Sequence, residues 1–167
     1  MSTKRSMGSH QSARMKNDEW LTPHYILEEL GRFDLDPCCP IRRPWETADR
    51  CVSKADNPDG LELEWYGRVW LNPPFGSQWP KWVLKLAQHG NGIALLAART
   101  ETQAFFQYVW QRATAILFLR GRPHFHYVDG TKAAANSGVP ICLIAYGKHN
   151  AEVLRDSGLG HYLRIRP

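Results

Sequence analysis

Unbroken runs of apolar residues mark the strands of this chain. Such runs predict buried strands at 68–71, 92–98, 115–119 and 139–146. A shorter strand is predicted at Phe33–Asp36, where the following proline ends the backbone pairing. The polar segment 121–137 predicts a long loop between the last two strands, and 37–67 has too little periodicity to predict an element.

Apolar residues recur every three or four positions in other segments, and this spacing predicts helices. The first helix follows Thr22, which is expected to be its N-cap, with Pro23 in the first helical position and Gly31 at its end. A second helix covers the apolar positions between 79 and 87. A third follows a capping box at Thr100–Gln103.

Strands that alternate with helices predict an α/β fold with a mainly parallel sheet and helices on both of its faces. The whole of 17–167 is expected to form this one domain. Residues 1–16 lack apolar periodicity and are expected to be a disordered basic tail. Ligands of such sheets bind beyond the carboxyl ends of the strands, which is where Asn72 and Arg99 lie.

Composition excludes several classes of protein. With 43% hydrophobic and 22% charged residues, the chain of 167 residues can bury a core and is not a disordered protein. No apolar run approaches the roughly 20 residues of a membrane span, and no secretion leader is evident, so a cytoplasmic protein without membrane partners is expected. The four cysteines predict free thiols, and Cys38, Cys39 and Cys51 lack the spacing of a zinc site, so no metal is expected.

Charge is distributed unevenly along the chain. Residues 1–16 contain four Lys or Arg and no acid, 17–75 contain six against twelve Asp or Glu, and 76–167 contain eleven against four. An acidic front half and a basic back half suggest two different ligands, one for each half. Chance segregation of solvated surface charge explains the same pattern equally well.

The tetrapeptide Asn72-Pro73-Pro74-Phe75 follows an apolar strand and carries the most specific chemistry. Two prolines in a row end the strand, fix the backbone and offer no N–H group. The segment therefore presents mainly acceptors, which are the Asn72 side-chain oxygen and the Pro73 carbonyl, next to the flat ring of Phe75. Such a set suits a planar group that bears an NH₂, such as a nucleobase amine or a carboxamide. A plain strand-to-loop turn is the alternative, and the apolar strand just before the tetrapeptide favours the binding site.

Four other segments accompany this motif in a fixed order. The five are DEWLTP at 18–23, FDLDPC at 33–38, VWLNPPF at 69–75, LAARTET at 96–102 and GRPHF at 121–125. Together they resemble the phage-type DNA N6-adenine methyltransferase (Dam-like) family, over most of residues 18–147. The resemblance implies an enzyme that uses S-adenosylmethionine, acts on double-stranded DNA and is encoded by a phage or prophage of a bacterial host.

The resemblance also implies a role for each part of the tetrapeptide. An adenine flipped out of the duplex would place its two N6 hydrogens on the Asn72 side chain and the Pro73 carbonyl, with Phe75 stacked on its ring. This hydrogen bonding withdraws the nitrogen lone pair from conjugation and directs it at the methyl group. Transfer would then be a direct in-line displacement that depends on positioning and electrostatics. The expected catalytic residues are Asn72, Pro73, Pro74 and Phe75.

Similar enzymes hold the methionine end of the cofactor with the segments before the first helix and after the first strand. The cofactor-binding residues implied in this chain are Trp20, Thr22, Pro23, Asp36, Pro37, Cys38 and Asp59. The Asp36 carboxylate would suit the ammonium group of the cofactor. Asp49, Asp56 and Asp59 are candidates for contacts to the ribose or adenine of the cofactor, and the sequence does not choose among them. Read from the residues alone, Thr22 is a helix cap and Asp36 a turn residue.

The basic half carries the residues expected to meet DNA. Arg99, Arg120 and Arg122 lie at strand ends or in the polar loop, and phosphate contacts are expected from them. Phe125 is expected either against the flipped base or as a core aromatic at the start of a strand.

This chain departs from the broader methyltransferase pattern in two places. No Gly-x-Gly loop follows Asp36-Pro37, and 37–67 is short for two full βα units. We therefore expect a trimmed Rossmann-like methyltransferase fold. The rival functions are methylation of cytosine N4 or of a protein glutamine by the same motif, and a non-catalytic DNA-binding protein of the same fold.

Overall fold

The computed structural model describes residues 19–167, so the tail predicted at 1–16 lies outside the described residues. The strands are β1 Leu35–Asp36, β2 Arg50–Cys51, β3 Val69–Leu71, β4 Gly92–Ala97, β5 Ala115–Leu119, β6 Ile141–Tyr146 and β7 Gly160–Arg164. The helices are α1 His24–Leu30, α2 Trp79–His89, α3 Gln103–Phe105, a π-helix at Phe106–Trp110, and α4 Lys148–Asp156. Within residues 19–167, none of the helices has the length and apolar character needed to cross a membrane.

The strands form one seven-stranded sheet in the order β2-β1-β3-β4-β6-β5-β7. The first four of these pair in parallel, as the alternation of strands and helices predicts. β6 lies between β4 and β5 and runs antiparallel to both, and β7 is antiparallel to β5. The expectation of a mainly parallel sheet is therefore correct for one half and wrong for the other. The reason is that a loop without a helix joins β5 to β6, so the chain returns directly beside the strand it has just left.

Helices cover both faces of the sheet, as expected. On one face, Leu86 of α2 belongs to the same core cluster as Leu71 of β3. On the other face, Leu154 of α4 belongs to a second cluster with Trp70 of β3. Because neighbouring residues of a strand point to opposite faces, an unbroken apolar run is the pattern of a strand that is buried on both sides.

The start of α1 differs from the prediction, whereas its end agrees with it. Pro23 is the N-cap, and the Thr22 side chain accepts a hydrogen bond from Asn72 instead of capping the helix. Proline suits the first positions of a helix because it has no N–H group to leave unpaired. Gly31 ends the helix with a φ of 75°, and its N–H donates to the Leu27 carbonyl.

The start of α3 also lies later than predicted. Thr102 is the N-cap, and its hydroxyl accepts from the Phe105 N–H at 3.4 Å, so the capping box expected at Thr100 does not form. A turn precedes the helix, closed by the Thr102 N–H on the Arg99 carbonyl at 3.2 Å. This turn occupies the residues that the sequence pattern assigned to the first helical turn.

Candidate active site at the carboxyl edge of the sheet

A cavity of about 380 Å³ opens at the edge of the sheet where β1 and β3 end. These two strands pair directly and in parallel, so the residues that follow them meet at this edge. Residues of the segments 37–40 and 72–76 are among those that line the cavity. The predicted site residues that line it are Trp20, Pro37, Cys38, Asp59, Asn72, Pro73, Pro74 and Phe75.

The side-chain amide of Asn72 is held in one orientation. Its Nδ2 donates to the Trp20 carbonyl and to the Thr22 hydroxyl, each at 3.3 Å. A carbonyl only accepts hydrogen bonds, so the Trp20 oxygen identifies the nitrogen end of the amide. Among the described residues, none donates to Asn72 Oδ1 or to the Pro73 carbonyl oxygen. Both acceptors therefore remain for a ligand in the cavity.

The Phe75 ring lines the cavity and packs against the ring of Phe125. The two rings meet edge to face, with centroids 6.0 Å apart and planes at 74°. Phe125 is 5% exposed and belongs to the core cluster of the α1 and α4 face. Of the two positions considered from the sequence, the structure thus places Phe125 in the core, where it positions the ring that faces the cavity.

The long loop after β5 contains a short hairpin, residues 125–133, closed by the Ala133 N–H on the Phe125 carbonyl at 2.8 Å. His126 and Leu21 exchange two backbone hydrogen bonds, of 2.9 and 3.0 Å. Tyr127 is 40% exposed, and its ring centroid lies 5.1 Å from that of Trp20. The hairpin therefore packs on the segment that orients Asn72.

Asp36 and Thr22 lie at a narrow crevice beside the cavity, and the crevice also reaches Asn72. Asp36 is 2% exposed, and its carboxylate accepts from the Cys38 N–H at 3.0 Å and from the Thr47 hydroxyl. Burial raises the pKa of Asp36 to about 7, although the two hydrogen bonds act in the opposite direction. This carboxyl group therefore changes its charge near neutral pH.

The charged side chains that line the cavity have a net negative charge. Glu19 and Lys54 both line it, and their charged groups lie 3.2 Å apart. Asp59 also lines it, while its Oδ1 accepts from a backbone N–H of its own turn at 2.8 Å. The other two aspartates considered from the sequence lie elsewhere, since Asp49 pairs with an exposed arginine and Asp56 bonds within its own turn.

Gly60 allows the loop after β2 to approach the end of β1 very closely. A Cβ atom at Gly60 would lie 1.7 Å from the Pro37 carbonyl oxygen and 3.0 Å from the Trp82 ring. The Gly60 carbonyl in turn accepts from the Trp65 indole N–H at 2.7 Å. Gly60, Pro37 and Trp82 all line the cavity, so the shape of the cavity on this side depends on residue 60 having no side chain.

Cys38 and Cys39 line the cavity as free thiols. Burial raises the pKa of Cys38, and the contact with Cys51, together with burial, raises that of Cys39. The same contact lowers the pKa of Cys51 to about 6. Among residues 19–167, no group of three or more His, Cys, Asp or Glu is arranged to hold a metal ion.

The arginines expected to contact DNA are exposed and lie outside the cavity. Arg99 follows β4 and Arg120 follows β5, and both strands run in the same direction as β3, so these residues share the edge of the sheet with Asn72. The Arg122 guanidinium donates to the Gly138 carbonyl at 3.1 Å, which holds it on the polar loop. Pro23 also lies away from the cavity, at the start of α1.

Sequence reasoning missed several residues that line the cavity. Glu19 stands beside Trp20 in the segment DEWLTP, and this position was the available signal. Lys54 and Gly60 belong to the stretch 37–67, in which no pattern distinguishes them. Trp82 fits the apolar face of a helix, so its sequence position indicates only a core residue.

A family model described as DNA N-6-adenine-methyltransferase (Dam) matches residues 9–152. The chain belongs to this family. The match confirms the resemblance carried by the five sequence segments, and its range spans residues 72–75 and the other predicted site residues. No curated protein and no solved structure matches the chain. The reaction for which the Dam family is named is methylation of the N6 of adenine in DNA.

Proposed function

We propose that this protein transfers a methyl group from S-adenosylmethionine to the N6 of adenine in double-stranded DNA. Membership of the Dam family supports the type of reaction. The observation that carries the proposal is the orientation of Asn72, whose amide nitrogen is used by Trp20 and Thr22 while Oδ1 is left for a donor. The exocyclic amine of adenine is such a donor, and it offers two hydrogens.

The tetrapeptide binds the flipped adenine through both of these hydrogens. Asn72 Oδ1 accepts one and the Pro73 carbonyl accepts the other, which draws the N6 lone pair out of conjugation with the ring. Phe75 stacks on the base, and its contact with Phe125 keeps it in place. Because Pro73 and Pro74 fix the backbone, both acceptors are already positioned before the base arrives.

The lining of the cavity fits S-adenosylmethionine. Its volume of about 380 Å³ falls in the range of small-molecule sites. Asp59 adds a negative charge to the lining beside the Glu19–Lys54 ion pair, and this charge complements a cationic ligand. When bound, this cofactor supplies a methyl group on a positively charged sulfur. The residues that would hold it are Trp20, Pro37, Cys38 and Asp59 in the cavity and Asp36 at the crevice beside it.

We also propose that the chain has a methyltransferase fold. The described part of the predicted domain 17–167, residues 19–167, forms one methyltransferase domain of a trimmed Rossmann-like type. The four parallel strands support this assignment, because β1 and β3 end at the edge that carries the cavity. We also propose that the protein is encoded by a phage or prophage. It would act in the cytoplasm of the bacterial host, where it has access to DNA.

The DNA backbone is bound by the exposed arginines at the same edge of the sheet. Arg99 and Arg120 follow strands that run parallel to β3, so their cations lie on the side from which a base reaches Asn72. Arg122, on the polar loop, adds a third cation. Contacts of this kind supply affinity and fix the position of the duplex, but they do not read the sequence.

Incubation of the full chain with methyl-labelled S-adenosylmethionine and unmethylated duplex DNA, followed by digestion to nucleosides, tests this function. We expect the label in N6-methyladenine. Label in N4-methylcytosine would show that cytosine is the substrate and not adenine. Label in a glutamine of an added protein would show that a protein is the substrate. DNA binding without any transfer would contradict an enzymatic role.

The variant Asn72→Ala tests the proposed contact with the base amine. We expect transfer to fall by about a hundredfold or more, because an acceptor that acts on the reacting atom is lost. The affinity for S-adenosylmethionine, measured by calorimetry, should change little. Asn57→Ala is the matched control, since Asn57 is exposed and lies outside the cavity. Transfer near the wild-type rate in Asn72→Ala would exclude this role for the side chain.

A further inference from the structure

The buried hydroxyl of Thr22 bonds the catalytic motif instead of the helix that follows it. Thr22 is 1% exposed, and its Oγ1 accepts from Asn72 Nδ2 at 3.3 Å. α1 begins at His24 with Pro23 as its N-cap, and no side chain caps its first turn. The capping role that the sequence favours is therefore not the use of this hydroxyl.

The Asn72 amide nitrogen has two N–H groups and two acceptors. The Trp20 carbonyl oxygen and the Thr22 hydroxyl oxygen each lie 3.3 Å from Nδ2. Since the amide is planar, fixing its nitrogen on both sides also fixes the direction of Oδ1. With only the Trp20 carbonyl left, the amide nitrogen loses one of its two acceptors and the side chain gains freedom about its last torsion, which is soft for asparagine.

The segment that carries both acceptors is itself held in place. Leu21, which lies between them, is 1% exposed and exchanges two backbone hydrogen bonds with His126. The segment is thus paired like a strand, with the Leu21 side chain in the core, and the Trp20 backbone carbonyl and the Thr22 hydroxyl both reach Asn72. Thr22 reaches Asn72 from a fixed backbone position.

We propose that Thr22 is a positioning residue that acts through Asn72: its hydroxyl fixes the amide so that Oδ1 faces the adenine amine. This inference rests on the proposed function, and it assigns Thr22 no contact with the base. It differs from the cofactor-binding role that the family resemblance implies. A cofactor contact would govern the affinity for S-adenosylmethionine, whereas a positioning role governs the rate of transfer at saturation.

Thr22→Val removes the hydroxyl and keeps the shape of the side chain. We expect kcat to fall about tenfold, as for the loss of one hydrogen bond that orients a reacting group, with the cofactor Kd within about twofold of the wild type. Thr22→Ser, which keeps the hydroxyl, should restore most of kcat. Thr114→Val is the matched control, because this variant loses a threonine hydroxyl that accepts from the Gly147 N–H at 3.0 Å, away from the cavity.

A second measurement separates this inference from the proposed function. In ¹⁵N spectra, the Asn72 side-chain NH₂ signals are assigned by their loss in Asn72→Ala. In Thr22→Val we expect one of the two protons to shift and to exchange faster with water, and in Thr22→Ser we expect wild-type behaviour. Unchanged NH₂ signals in Thr22→Val, or a raised cofactor Kd with an unchanged kcat, would overturn the inference. If the wild type transfers no methyl group, the spectra still decide the role of Thr22.

Discussion

Replacing Gly60 by alanine is expected to destabilise the protein and to deform the proposed cofactor site. The added Cβ would lie 1.7 Å from the Pro37 carbonyl oxygen and 2.7 Å from its carbonyl carbon. A carbon and an oxygen in contact lie about 3.3 Å apart or more, so the two backbone segments must separate by about 1.5 Å. Neither can yield by turning a side chain, because the atoms in conflict belong to the backbone.

Overpacking of this kind costs about 2 kcal/mol, which lowers the melting temperature of a domain of this size by about 4–8 °C. The cavity widens between Pro37 and Gly60, so the Kd for S-adenosylmethionine should rise about tenfold. Thermal melts and calorimetry measure the two effects. Gly76→Ala is the control for stability, because a Cβ there meets no atom within 4 Å. A melting temperature and a Kd equal to those of the wild type in Gly60→Ala would refute the reasoning.

Two further predictions concern charge. Burial raises the folded-state pKa of Asp36 from 3.8 to about 7. Between these two pH values the folded state keeps a proton that the unfolded state loses. The stability that this carboxyl group contributes is therefore present below about pH 4 and is lost as the pH rises to about 7. Melting curves of Asp36→Asn should lack this part of the decline, and a wild-type pH dependence in the variant would contradict it. Arg120→Gln should weaken DNA binding and reduce the slope of log K against log salt by about 0.9, whereas Arg32→Gln, at the amino end of β1, should leave the slope unchanged. Equal slopes for Arg120→Gln and the wild type would remove this residue from the DNA contact.

The sequence predicts the buried strands of the sheet better than it predicts how they pair. Apolar runs identify β3, β4, β5 and β6, because strands buried on both faces need continuous apolar residues. Their partners are decided by packing and by a long connection, and neither is visible in a local pattern. β7 at Gly160–Arg164 is largely exposed and pairs through its backbone, so it has no apolar run to reveal it.

The candidate site shows the same division. Asn72 and Phe75 could be predicted because two prolines after an apolar strand give the backbone few alternatives. Lys54 faces the cavity only because its loop folds back beside β1, and a lysine in an unpatterned stretch carries no signal of that. For Thr22, the residue type favours a helix cap, and only the tertiary structure shows that its hydroxyl bonds Asn72 instead.

The backbone hydrogen bonds between His126 and Leu21 join the hairpin 125–133 to the segment that orients Asn72. The tip of the hairpin 125–133 lies beyond the residues that pair with Leu21. An insertion before His126 would shift the register by one residue and present the opposite face of the hairpin to Leu21. The pairing of His126 with Leu21 thus keeps Trp20 and Thr22 in place, and with them the proposed geometry for methyl transfer.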